Sequence, residues 1–131
     1  MTYRLWLDDR RMSPWGYDLR AKTADEAIWH IQNQPVVHAS LDHDLASEHY
    51  DDAEDDTSTG YFSPPRIIDR SRYREKTGYA VLEWMRDSGL WVPDIGVHTR
   101  RGLAAAEMLA FIKRYAPPGV RGYRVELRRI V

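Results

Sequence analysis

Short apolar runs alternate in this chain with segments whose apolar residues recur at helical spacing, and this alternation limits the folds open to it. The apolar runs are four to nine residues long, which is the length of β-strands. The predicted strands lie at residues 3–7, 19–22, 36–41, 94–99 and 123–131, and in the last of them apolar residues alternate with arginine and glutamate. Strands that alternate with helices predict an α/β fold, with a mostly parallel sheet of about five strands and helices on both faces.

Three segments carry the helical pattern. In the first, Thr23 and Glu26 have the spacing of a capping box, and the helix is expected to end before Pro35. The other two helices are predicted at residues 78–88 and 103–115, each with an apolar stripe. A chain of 131 residues with one such series of elements has the length of a single domain, predicted to span all of it.

Residues 46–76 are polar and lack a clear period, so they are interpreted as a loop inserted into the domain. Between residues 42 and 56 there are eight acidic residues and no lysine or arginine. Between residues 66 and 76 there are five basic residues and two acidic ones. A lid, a disordered insert and two solvated faces all remain open interpretations. A short helical turn is expected at 67–73.

Composition excludes several classes of protein. The net charge of −1 gives no field that would attract duplex nucleic acid or a membrane surface. The absence of cysteine excludes disulfides, thiol nucleophiles and cysteine metal sites. No apolar run approaches the ~18 residues of a membrane span, and the first residues lack a signal-peptide core. We therefore expect a cytoplasmic protein without membrane or stable duplex partners, while the oligomeric state stays open.

Acidic residues and histidines follow three of the predicted strands. They are Asp8 and Asp9 after the first strand, Asp42, His43 and Asp44 after the third, and His98 and Thr99 after the fourth. Ligands of parallel sheets bind beyond the carboxyl ends of the strands, so these residues are expected at one edge. Carboxylates that lie close together repel, and a divalent cation with oxygen ligands is the simplest remedy. Asp8, Asp9 and Asp42 are therefore the predicted ligands of Mg²⁺ or Mn²⁺.

His43 and His98 are the candidates for proton transfer, because histidine titrates near neutral pH. Asp44 is interpreted either as a group that orients His43 or as a further metal ligand. Taken alone, either histidine is more simply explained as a structural residue. Their expected position beside acids at strand ends favours a catalytic role for His43, His98 and Asp44.

Phosphate binding is predicted at the start of the last helix. Thr99, Arg100 and Arg101 lie just before it, and the N-terminal amides of a helix bind anions. Arginine adds bidentate donors for phosphate, and Arg10 could serve in the same way after the first strand. For each arginine alone, a surface salt bridge is the alternative.

Four motifs follow one another along the chain: Leu7-Asp8-Asp9-x-Arg11, Ser40-Leu41-Asp42-His43-Asp44-Leu45, Thr77-Gly78-Tyr79 and Val97-His98-Thr99. Together they resemble the cyclic-phosphate processing receiver domain family, a variant of the response-regulator receiver fold. The resemblance implies a flavodoxin-like fold and a role in processing cyclic phosphates, associated with RNA repair or ADP-ribose metabolism. In ordinary receivers an acidic pair and a later aspartate hold Mg²⁺, and Asp8, Asp9 and Asp42 match those positions.

The chain also departs from these patterns. Thr99 lies near the hydroxyl position of receivers, but the receiver lysine has no evident match among Lys22, Lys76 and Lys113. Residues 100–102 stand where the family usually has an Asn-containing loop, which leaves substrate identity open. The segment between Leu45 and Thr77 looks longer than the family pattern.

Two functions remain open. The first is a metal-dependent phosphoesterase acting on the cyclic or terminal phosphate of a nucleotide, an RNA end or an ADP-ribose derivative. In it, metal would polarise the phosphate and arginine would offset developing charge. The second is a non-catalytic receiver-like module for binding or signalling, with Asp42 as phosphoacceptor. The missing lysine is the feature against it.

Overall fold

The computed structural model describes residues 1–58 and 67–126, with the side chains of 54–58 left out. Within these ranges, five parallel strands form one sheet in the order β2-β1-β3-β4-β5. The strands are β1 (Tyr3–Leu7), β2 (Leu19–Ala21), β3 (Val36–Leu41), β4 (Asp94–Val97) and β5 (Arg121–Arg124). The helices are α1 (Ala24–Asn33), α2 (Ser47–Ser58), α3 (Tyr79–Ser88) and α4 (Gly102–Tyr115), with a 3₁₀ turn at Arg70–Arg72. The predicted α/β fold with a parallel five-stranded sheet is confirmed.

The helix boundaries follow from local chemistry. At α1, the Thr23 hydroxyl accepts a hydrogen bond from the backbone N–H of Glu26, which confirms the predicted cap. Helix α3 ends at Gly89, whose φ of 74° lies in the left-handed region that glycine tolerates. Residues 127–131 of the last predicted strand lie outside the described residues.

The apolar core lies on one face of the sheet. Alternate strand residues Leu5, Leu7, Ala39, Leu41, Ile95 and Val97 point into it and meet the apolar stripes of α1, α3 and α4. Helix α3 packs between α1 and α4. Helices α1, α3 and α4 therefore lie on this face of the sheet. The connections from β2 to β3, from β3 to β4 and from β4 to β5 all run in the same direction across the sheet. Because such connections are right-handed, their helices lie on the same face.

The opposite face carries aromatic and polar side chains. Trp6 packs edge-on against Tyr17, and its indole N–H donates to the backbone carbonyl of Arg11. His38 lies 2.8 Å from the Tyr17 hydroxyl and 2.6 Å from a carboxylate oxygen of Asp94. This network gives His38 a structural role between β3 and β4. The connection from β1 to β2 crosses this side without a helix.

The interpretation of residues 46–76 as a loop needs correction, because α2 occupies Ser47–Ser58 and the expected helical turn forms at Arg70–Arg72. Residues 59–66 lie outside the described residues. The buried His49 ring accepts from the backbone N–H of Leu45 and donates to the carbonyl of Glu75. The Glu48 carboxylate accepts from two backbone amides at 74 and 75. These bonds tie α2 to the chain that precedes α3. None of the described helices is long and apolar enough to cross a bilayer.

Candidate metal centre

Side chains from three strand ends meet at the point where the strand order reverses. Strand β1 connects to β2 on one side while β3 lies on its other side, and ligands of open α/β sheets bind at such a point. Asp8 follows β1, Asp42 follows β3 and His98 follows β4. One ligand atom from each lies within 4.8 Å of the others, and all three residues are buried.

The Asp8 carboxylate is held by several donors. Its Oδ1 accepts from the backbone N–H groups of Arg10 at 2.9 Å and Arg11 at 2.8 Å. Its Oδ2 lies 3.1 Å from Nε2 of His98. Burial acts to raise the pKa of Asp8, but the bonds from His98 and from the two amides outweigh burial and lower it. Asp8 is therefore a carboxylate that only accepts hydrogen bonds.

The Asp42 carboxylate differs from that of Asp8 in its hydrogen bonds and in the direction of its pKa shift. Its Oδ1 accepts from the backbone N–H of His43 at 2.8 Å, whereas its buried Oδ2 has no hydrogen-bond partner among the described residues. Burial, and after it the charge of Asp8, raises the pKa of Asp42 to about 7. A buried oxygen that accepts no hydrogen bond, facing a second carboxylate and an imidazole, fits a cation ligand. The residues present therefore fit a divalent metal.

Arg11 offers a competing source of positive charge. Its Nη1 lies 3.4 Å from Oδ2 of Asp8 and 3.6 Å from Oδ2 of Asp42. The side chain is 30% exposed, so it can leave the pair for solvent. Its guanidinium is thus the cation that balances the two carboxylates in this structure.

His98 is fixed from both sides. Its ring stacks on the Trp6 indole with centroids 3.9 Å apart and planes 4° from parallel. Its Nδ1 lies 2.8 Å from Oγ of Ser40, while Nε2 faces Asp8. Burial lowers the pKa of His98, against the opposing effect of Asp8. The imidazole is therefore held neutral, the form that binds metals.

Asp9 does not join the cluster of Asp8, Asp42 and His98. Its Oδ1 accepts from the Tyr50 hydroxyl at 2.5 Å, and Oδ2 lies 3.9 Å from Nε of Arg10. The Arg10 guanidinium lies over the Tyr50 ring, 3.7 Å from its centroid, with more than half of the side chain exposed. The two adjacent aspartates therefore make different contacts. Asp8 belongs to the candidate metal cluster, and Asp9 binds α2 through Tyr50.

His43 and Asp44 form a second, separate group. Nδ1 of His43 lies 2.7 Å from Oδ1 of Asp44, and Nε2 accepts from Nε of Arg70 at 3.0 Å. Burial lowers the pKa of His43, and the nearby Arg70 charge adds to that effect. The predicted pairing of His43 with His98 is not formed, because each ring contacts different residues.

The predicted phosphate ligands also separate. Arg101 is buried, with Nη1 3.4 Å from Asp44 and Nη2 3.0 Å from Asp52. The Thr99 hydroxyl accepts from the backbone N–H of Arg101 at 3.2 Å. Arg100 is exposed and lines a surface pocket of about 410 Å³ beside the cluster. The pocket is lined by His98, Thr99, Arg100, Arg124, Val125 and Glu126.

The Thr77-Gly78-Tyr79 motif packs against the backbone of Asp42. A Cβ on Gly78 would lie 1.7 Å from the carbonyl oxygen of Asp42, so only glycine fits here. The backbone N–H of Gly78 donates to the carbonyl of His43 at 3.0 Å. The start of α3 thus packs directly on the strand end that carries the cluster.

Comparison with known families assigns the chain to a family of receiver domains. The model of the cyclic-phosphate processing receiver domain matches residues 3–114, which include the strand ends that carry Asp8, Asp42 and His98. The chain belongs to this family. No curated protein matches the chain.

As a cyclic-phosphate processing receiver domain, the chain combines the predicted fold with a cluster that differs from the prediction in its members. The sequence predicted site roles for Asp8, Asp42 and His98, whereas their partners Arg11 and Ser40 appeared only as members of the motifs. Ser40 could have been predicted to lie beside the cluster, because side chains two residues apart on a strand point to the same side, and Ser40 lies two residues before Asp42. Arg11 had no such signal, since the turn after Asp9 determines its direction.

Proposed function

We propose that this receiver domain is a metal-dependent phosphoesterase that processes a cyclic or terminal phosphate. The substrate class we propose is a nucleotide, an RNA end or an ADP-ribose derivative. The observation that carries the proposal is the buried Asp8–Asp42–His98 cluster, in which Oδ2 of Asp42 accepts no hydrogen bond from the described residues, next to an open pocket. Membership in the family supports the cyclic-phosphate part of the proposal.

We propose Mn²⁺ in preference to Mg²⁺ as the resident ion. Two carboxylates and one imidazole nitrogen form a mixed donor set, and imidazole favours first-row transition metals whereas Mg²⁺ prefers oxygen ligands. When bound, such an ion polarises a phosphate oxygen and lowers the pKa of water. Asp8, Asp42 and His98 would hold it, with Arg11 released from the two carboxylates.

Binding of the substrate phosphate is proposed for Arg10, Arg11, Arg100 and Thr99. Arg10 and Arg100 are exposed, and Arg11 becomes available once a cation replaces it. Arg101 is already paired with Asp44 and Asp52, so its proposed part is to anchor α4.

Proton transfer by His43 requires a rearrangement. Its Nε2 accepts from Arg70, so that guanidinium has to move before the ring can take a proton. The Arg70 side chain is 19% exposed and pairs with Glu107 at 2.7 Å. We therefore propose that His43 acts first as a structural link between Asp44 and Arg70, and that a catalytic role depends on substrate displacing Arg70.

The test is turnover of a defined panel: 2′,3′-cyclic nucleotides and ADP-ribose 1″,2″-cyclic phosphate, with Mn²⁺, with Mg²⁺ and with EDTA. Ring opening that requires metal and is lost in Asp42→Asn is the expected result. Asp25→Asn, on the exposed face of α1, is the matched control and should retain full activity. Absence of turnover on the whole panel by folded, Mn²⁺-loaded protein would refute the phosphoesterase.

A non-catalytic receiver-like module is the alternative, favoured by the position of Asp42 at the end of the third strand along the chain. The receiver lysine has no evident match, and Lys76, one of three lysines, pairs with Asp25 instead. Labelling by acetyl phosphate that disappears in Asp42→Asn would support this alternative.

A further inference from the structure

Ser40, His98 and Asp8 form a buried chain of hydrogen bonds at the candidate metal centre. Ser40 Oγ lies 2.8 Å from Nδ1 of His98, and Nε2 of the same ring lies 3.1 Å from Asp8. Ser40 is fully buried on β3, and the Trp6 indole stacks on the imidazole. Gly96 lies opposite Ser40 on β4, where a Cβ would lie 2.7 Å from Cγ2 of Val125 and 3.4 Å from Ser40 Oγ.

The hydrogen-bond partners of His98 determine which tautomer the ring adopts in the absence of a metal. Asp8 is a carboxylate and only accepts, so Nε2 carries the ring proton and donates it. Nδ1 is then an acceptor, and the Ser40 hydroxyl donates to it.

A metal ion at the cluster demands the other tautomer. Nε2 faces the ligand atoms of Asp8 and Asp42, so it has to lose its proton before it can coordinate. Nε2 releases its proton to solvent and Nδ1 takes one proton from solvent, so the ring is neutral with one proton before and after the change. Nδ1–H then donates to Ser40 Oγ, and the serine keeps its own proton.

We infer that Ser40 is the positioning residue of the metal centre, because its hydroxyl supports both tautomers of His98 in one ring orientation. A hydroxyl both donates and accepts, whereas a carbonyl accepts only and an amide N–H donates only. A fixed donor would oppose coordination, and a fixed acceptor would leave the metal-free ring unsatisfied. The inference rests on the metal site of the proposed function, but not on catalysis.

The experiment measures metal binding and ring tautomer, with no turnover required. Calorimetric titration with Mn²⁺ and Zn²⁺ gives the Kd of wild type, Ser40→Ala, Ser40→Thr and Ser88→Ala. Ser88 bonds to backbone atoms near the end of α3, so its variant controls for the loss of a serine hydroxyl. Nitrogen-15 spectra of the histidine rings, with and without diamagnetic Zn²⁺, report which nitrogen of His98 is protonated.

Loss of a group that orients a metal-bound histidine typically weakens metal binding 10- to 100-fold, and we expect this loss in Ser40→Ala. Ser40→Thr should recover most of it, Ser88→Ala should match wild type, and Zn²⁺ should move the ring proton from Nε2 to Nδ1. An unchanged Kd in Ser40→Ala, an unchanged tautomer on Zn²⁺ binding, or no metal binding by wild type would each overturn the inference. Normal metal binding without turnover would refute the phosphoesterase alone.

Discussion

Replacing Asp42 with asparagine is expected to stabilise the metal-free protein at alkaline pH. The asparagine Oδ1 can still accept from the backbone N–H of His43, while the charge that faces Asp8 is removed. The ordinary pKa of aspartate is 3.8, and burial with the Asp8 charge raises that of Asp42 to about 7. A gap of about three pH units corresponds to about 4 kcal/mol of lost stability when the carboxyl is ionised.

The sign follows from proton binding. Between about pH 4 and pH 7 the folded state holds a proton on Asp42 that the unfolded chain has released, so stability falls as pH rises through this window. Below about pH 4 both states are protonated and the effect vanishes. Above about pH 7 the whole penalty is present, so Asp42→Asn should be more stable than wild type by up to about 4 kcal/mol.

Urea unfolding in EDTA at pH 4.5 and pH 8 measures this difference. Asp25→Asn is the control, because Asp25 is 72% exposed and its ion pair with Lys76 adds little stability. Adding Mn²⁺ should stabilise wild type and leave Asp42→Asn unchanged. The reasoning is refuted if Asp42→Asn is no more stable than wild type at pH 8. It is also refuted if the advantage of the variant is equal at both pH values.

Three further substitutions test the surroundings of the cluster. Gly78→Ala places a Cβ against the Asp42 carbonyl and should lower the free energy of unfolding by about 3 kcal/mol in urea titration. Arg11→Gln removes the competing guanidinium and should tighten Mn²⁺ binding in calorimetry; weaker binding would contradict the competition. Arg101→Lys loses the planar fork that contacts Asp52 on α2, and faster hydrogen exchange in α2 should follow; unchanged exchange would show that the fork is dispensable.

The sequence predicts the sheet well because buried strands appear in the sequence as short runs of apolar residues. The end of β3 at Leu41 and the cap of α1 at Thr23 both depend on neighbours in sequence. Helix α2 was missed because its contacts are polar and distant, such as His49 with the carbonyl of Glu75. Its sequence carries no apolar stripe that would reveal them.

The site was predicted in outline, since strand ends fix where residues lie but not where side chains point. Asp8 and Asp9 are adjacent, yet one turns into the cluster and the other reaches Tyr50 on α2. His43 follows Asp42 directly and turns towards Arg70, which lies 27 residues later in the chain. Contacts over such separations depend on tertiary packing, which no local pattern contains.

The most direct test of the metal centre is a crystal structure of the Mn²⁺-loaded protein with anomalous data at the manganese edge. The account predicts one anomalous peak coordinated by Asp8, Asp42 and Nε2 of His98, with the Arg11 guanidinium moved away from both carboxylates. A peak elsewhere, or none while Arg11 still bridges Asp8 and Asp42, would contradict it.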